Sequence, residues 1–196
     1  EILRLIDLIS IQFIKSFYFK KNLSLKSASE YSHYPEFVLK AALDYKTFKI
    51  FRRHPIYTSI LEHVSKNIGE KYLNIILDKY SLNKDEVLEI ISPLQKIGCP
   101  KKFKLKGLPV PVSTTAIRYL KVALEIKENL LNKEEIDIVE IGCGYGGQAL
   151  ILNKVIKIRS YTFIDLWQVN MLIKRFLHDS FFDRPYQLCT LNDILL

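Results

Sequence analysis

At 196 residues, 48% of them hydrophobic, the chain has enough apolar material for an ordinary core spread over one or two modest domains. Its formal net charge is +8, but no run of about 18 uncharged apolar residues occurs, which argues against a membrane-spanning helix. Cys99, Cys143 and Cys189 lie far apart, with no CxxC and no Cys/His pair at ligand spacing. Neither a disulfide framework nor a metal site is therefore expected, and a reducing, cytoplasmic setting follows.

The stretch Glu1–Phe19 is apolar but is broken by Arg4, Asp7 and Lys15, and it lacks the basic–apolar–small order of a signal peptide. Ile2, Leu5, Ile6, Ile9, Phe13 and Phe17 recur at helical spacing. Pro35 suits the first turn of a short helix through Ala42. Pro55 opens another, with Ile56, Ile60, His63 and Val64 in register. Gly69 then punctuates, and Tyr72, Ile75, Ile76 and Tyr80 mark a further helix. Asn83 is a good N-cap for the helix Asp85–Ile91, whose first turn carries acidic charge. The four histidines, His33, His54, His63 and His178, are scattered and read as surface or packing residues. Basic runs occur at Lys20-Lys21, Arg52-Arg53 and Lys101–Lys106. Such clusters bind nucleic acid, anionic lipid or phosphate in some proteins. Without a nucleic-acid motif they read here as solvated faces, so no nucleic-acid partner is expected, and peripheral membrane contact is left to the basic loop.

Between Gly98 and Pro111, glycines, prolines and lysines cluster as in a loop or linker. Ser113 or Thr114 then caps a helix to about Leu131. Ile136–Ile141 reads as a strand, Ala149–Ile156 as a helix, Tyr161–Ile164 as a strand, Gln168–Leu177 as a helix and Tyr186–Cys189 as a third strand. This alternation with short connections predicts parallel pairing and an α/β fold, half of a doubly wound sheet. The expected organisation is a helical region over 1–98, a linker over 99–112 and a partial Rossmann-like domain over 113–196.

Gly142, Gly144, Gly146 and Gly147 lie directly between a strand and a helix. Glycine serves where the backbone turns tightly and a ligand approaches without a Cβ in the way, and the helix start favours an anion. Asp165 follows 21 residues after Gly144, where an acid at a strand end accepts hydrogen bonds from ribose hydroxyls. The competing readings are a tight strand-to-helix connection without ligand, and Asp165 as the N-cap of the next helix. The glycines alone also satisfy the dinucleotide pattern GxGxxG. Glu140, two residues before the first glycine, favours S-adenosylmethionine (SAM), because an acid there faces a cationic amino or sulfonium group but repels a pyrophosphate.

The chain resembles the sugar O-methyltransferases of bacterial surface-polysaccharide gene clusters, members of the class I SAM-dependent methyltransferase superfamily. The resemblance rests on Val139–Gln148 (VEIGCGYGGQ), Ser113–Tyr119 (STTAIRY), Phe163–Gln168 (FIDLWQ) and Phe51–Val64 (FRRHPIYTSILEHV). It implies SAM as cofactor, a sugar hydroxyl on a glycan or lipopolysaccharide precursor as acceptor, and a Rossmann-like, seven-stranded sheet. Carried onto this chain, Glu140, Gly142, Gly144 and Gly146 would line the methionine end of SAM, with Asp165 on the ribose. Tyr145 and Gln148 would neighbour the cofactor or acceptor, and Cys143, Gly147 and Leu166 would complete the cofactor-binding set. Only about three strands fit before Leu196 and the chain opens on Glu1, so the expectation is a fragment. A base or metal would assist deprotonation of the acceptor, but no catalytic base is assigned; His63 reads as packing, and so do Arg118 and Tyr119. The alternatives are an NAD(P)-binding oxidoreductase and a non-catalytic interaction module.

Overall fold

The computed structural model describes residues 33–130 and 135–194; the expected helix over Ile2–Phe17 lies outside them. Helix α1 (Tyr34–Leu43) has Pro35 in its first turn and ends at the extended Asp44, whose carboxylate accepts the Thr47 N–H at 2.6 Å and so caps α2 (Tyr45–Phe48). A 3-10 turn (Phe51–Arg53) leads into α3 (Pro55–Thr58). The helix expected from Pro55 to Val64 stops there: Glu62 takes a left-handed φ of 62°, which an α-helix cannot contain. Helix α4 (Lys66–Lys79) is capped by Ser65. Gly69 lies inside α4 rather than ending a segment, because Thr114 Cγ2 stands 2.4 Å from where its Cβ would be. Helix α5 (Lys84–Ile91) carries a full capping box between Asn83 and Glu86.

The stretch read as a linker is folded into the core. Phe103 and Val112 pair as an isolated antiparallel bridge, and Leu105, Leu108 and Val112 are buried. Ser113 caps α6 (Thr114–Asn129). Then come β1 (Ile136–Ile141), α7 (Gly147–Val155), β2 (Ile158–Ile164), α8 (Trp167–Asp179), β3 (Tyr186–Cys189) and the short α9 (Leu191–Ile194). Strand β2 begins earlier than its apolar run because its polar start has partners: Arg159 Nε and the Ser160 hydroxyl both donate to Asp137 of β1, at 2.9 and 2.7 Å.

The protein is α/β, with a parallel three-stranded sheet in the order β1-β2-β3. Ile141 is level with Ile164, and Ile164 with Cys189. The pairing continues past the strands, since the Gly142 N–H donates to Ile164 O and the Asp165 N–H to Cys189 O, at 3.0 and 3.1 Å. This level register brings the glycine turn and Asp165 together. The two sides of β1 differ: Ile136, Ile138 and Glu140 are half-buried, whereas Val139 and Ile141 are 62% and 73% exposed. One hydrophobic cluster runs from Tyr34 to Leu177 through both the helical region and the sheet. Helix α1 packs on α8, where Arg175 donates to Ala42 O at 2.8 Å and covers the Phe48 ring. Among the described residues, no helix is long and apolar enough to cross a membrane.

Candidate functional site

The glycines after β1 do different jobs. Gly142, Gly144 and Gly146 all take positive φ, at 74°, 60° and 81°, a region that disfavours every residue with a Cβ. A Cβ on Gly146 would meet Ile173 Cγ2 at 3.2 Å, one on Gly147 would meet the Tyr145 ring at 2.6 Å, and one on Gly144 would meet Leu61 Cδ1 at 3.1 Å. Packing therefore accounts for three of the four. Gly142 is exposed, and among the described residues nothing stands within 4 Å of its Cβ position. It is the glycine that leaves its backbone open to a ligand.

Asp165 and Glu140 flank this turn. One Asp165 oxygen accepts the Gly144 N–H at 3.2 Å and the other the Leu166 N–H at 2.7 Å. An ionised carboxylate offers about four acceptor positions, and with the Cys143 N–H also directed at it roughly one remains for a ligand's hydroxyls. Asp165 stands one residue before the N-cap of α8, Leu166, whose N–H it accepts and whose own side chain makes no cap bond. Burial raises the Asp165 pKa, opposed by the N–H groups of Leu166, Gly144 and Cys143. Glu140 accepts the Tyr161 hydroxyl at 2.7 Å. Burial pushes its pKa up to about 7, the Tyr161 hydrogen bond resists, and the charge of Asp165 adds to the rise. A cation at the turn would reverse this by favouring the ionised carboxylate.

Several expected residues also make anchoring contacts within the chain. The Cys143 thiol donates to Glu140 O at 3.0 Å, and burial raises its pKa, so it joins strand ends rather than offering a nucleophile. The Gln148 amide donates to Tyr119 O at 3.1 Å, tying α7 to α6. Tyr145 is fully buried against Phe51, Tyr119 and Phe176. Arg118 lies over the Tyr119 ring, burial pushes the Tyr119 pKa up to about 12, and His63 is exposed.

The sequence reading missed what closes over the turn. Arg52, placed there in a solvated basic run, is completely buried. Its Nε donates to Glu62 at 2.6 Å and its Nη1 to Leu94 O at 2.6 Å, and the guanidinium lies 4.6 Å from the centre of the Tyr145 ring. Burial opposes its charge, but the Glu62 carboxylate, hydrogen-bonded to it at 2.6 Å, holds it protonated. This pairing sets the course of residues 57–62, which brings Leu61 and the buried Tyr57 hydroxyl, 3.9 Å from the Gly144 Cβ position, over the turn. The signal available in sequence was the aromatic company of Arg52 in Phe51–Tyr57.

The open Gly142, the two acids and the Tyr57 hydroxyl, unpartnered among the described residues, could meet a ligand that carries hydroxyls, a cation and an acceptor group. Among the described residues no group of His, Cys, Asp and Glu is placed to hold a metal ion. In comparisons with protein-family models, curated proteins and solved structures, none matches the chain.

Proposed function

We propose that the protein is a cytoplasmic SAM-dependent O-methyltransferase of Rossmann-like architecture that methylates a sugar hydroxyl in surface-polysaccharide or lipopolysaccharide synthesis. The observation carrying the cofactor is the placement of Glu140 and Asp165 on either side of the open, positive-φ Gly142. Two carboxylates there suit ribose hydroxyls and a cationic amino-acid end, and they disfavour a pyrophosphate. The sugar acceptor rests on the resemblance of Val139–Gln148 and Ser113–Tyr119.

When bound, SAM supplies a methyl carbon already activated by its sulfonium. The chain's own contribution is positional. Asp165 would hold the ribose through its remaining lone pair, Gly142 would let the ligand reach the backbone, and Glu140 would face the cationic end. The test is thermal shift of the protein with SAM, S-adenosylhomocysteine and NADH. Stabilisation by the two S-adenosyl ligands and not by NADH is expected; stabilisation by NADH alone overturns the reading. The exposed Val139 and Ile141 favour a second reading, an interaction module, which predicts no stabilisation by any of the three.

A further inference from the structure

Tyr57 is 0% exposed, yet its hydroxyl has no hydrogen-bond partner among the described residues. An unmade hydrogen bond in the interior destabilises a fold, and a native structure holding one calls for an explanation. The ring is fixed by an edge-on contact with Phe51 at 5.0 Å and by Tyr34 at 5.9 Å between ring centres. That packing directs the hydroxyl to within 3.9 Å of the Gly144 Cβ position, beside the turn flanked by Glu140 and Asp165. Burial keeps the phenol protonated, so it is a donor at every ordinary pH. When ionised, the two acids are acceptors and serve the hydroxyls and the cation of a ligand. An anionic group on the same ligand needs a donor; Tyr57 is one of two buried tyrosines at the turn whose hydroxyl is unpaired among the described residues, the other being Tyr145, whose hydroxyl lies 2.7 Å from the Gly147 Cβ position.

We propose that the Tyr57 hydroxyl donates a hydrogen bond to the carboxylate at the amino-acid end of the bound S-adenosyl ligand, so that the helical region completes the cofactor site. This rests on the SAM reading above. It makes Tyr57 a ligand contact that recognises one end of the cofactor, and it explains an unpaired hydroxyl that packing alone leaves costly.

Titration calorimetry of the full chain and its Tyr57→Phe variant with S-adenosylhomocysteine and with 5′-methylthioadenosine, which lacks the carboxylate, tests it. Phenylalanine keeps the ring and its contacts. Affinity for S-adenosylhomocysteine is expected to fall about tenfold to a hundredfold, while that for 5′-methylthioadenosine stays within about twofold, as loss of a charge-assisted hydrogen bond predicts. The ligand-free melting temperature should rise, since the unpaired hydroxyl is gone. Equal losses for both ligands, or no loss for either, overturn the inference while leaving the SAM reading intact. A wild-type protein that binds neither ligand overturns both.

Discussion

Residues 139–148 keep their shape through their own backbone, whereas residues 51–62, which pack over them, are held by one buried cation. In the turn, positive-φ glycines and the bond from the Gly146 N–H to Cys143 O at 3.0 Å fix the path. In the covering segment, the guanidinium of Arg52 gathers Glu62, Leu94 O, Ile97 O and the Tyr145 ring from four places in the chain. The first kind of order is local and is written in neighbouring residues. The second exists only once the fold has brought its partners together.

The contrast can be broken most forcefully at Arg52. Arg52→Met leaves Glu62 buried without a partner and should cost about 3–5 kcal/mol, the usual result of removing half of a buried ion pair. On thermal melting that corresponds to a drop on the order of 10 °C. Arg52→Lys should recover only part of it, since one ammonium cannot reproduce the spread of guanidinium bonds. Next comes Gly146→Ala, which combines a left-handed backbone with the Ile173 contact and should cost about 1–3 kcal/mol in chemical denaturation. Gly142→Ala, with open space around it, should lose ligand binding more than stability.

A smaller effect concerns pH. Glu140 titrates near 7 in the folded protein, above the ordinary carboxyl value of about 4.3. The folded state therefore holds a proton that the unfolded chain releases. The stability from this group is complete below the unfolded value and is lost as pH rises through about 7. Glu140→Gln, which can still accept from Tyr161, should flatten the fall in melting temperature between about pH 5 and pH 8. In the wild type, SAM should bind more tightly as Glu140 ionises. The mildest change is Ile141→Lys on the exposed side of β1, which should alter stability by no more than about 0.5 kcal/mol. It should reduce self-association measured by light scattering, since charge blunts an exposed strand edge.

Where structure is local, the sequence was legible. Strands β1 and β3 run over the residues their apolar runs marked, Asn83 and Ser113 cap the helices they precede, and Asp165 lies beside the turn. Each of these follows from neighbours a few residues away, or from level strand register. What failed was tertiary. Periodicity continued the Pro55 helix through Val64, but the pull of Arg52 on Glu62 turns the chain there. Gly69 read as a breaker because its partner, Thr114, is far along the chain. At the candidate site the two acids were visible. The division of labour among the glycines was not, because it depends on Leu61, Ile173 and the Tyr145 ring.

Cys143 gives the molecule an internal clock. The residue is 3% exposed and its thiol lies against Glu140 O and Ile164 O, at 3.0 and 3.6 Å, whereas Cys99 and Cys189 are half-buried. The rate at which an alkylating reagent reaches Cys143, relative to the other two thiols, therefore counts excursions of this turn from its native form. A bound ligand that bridges the strand ends would slow that clock, and the slowing would measure how firmly the turn is held.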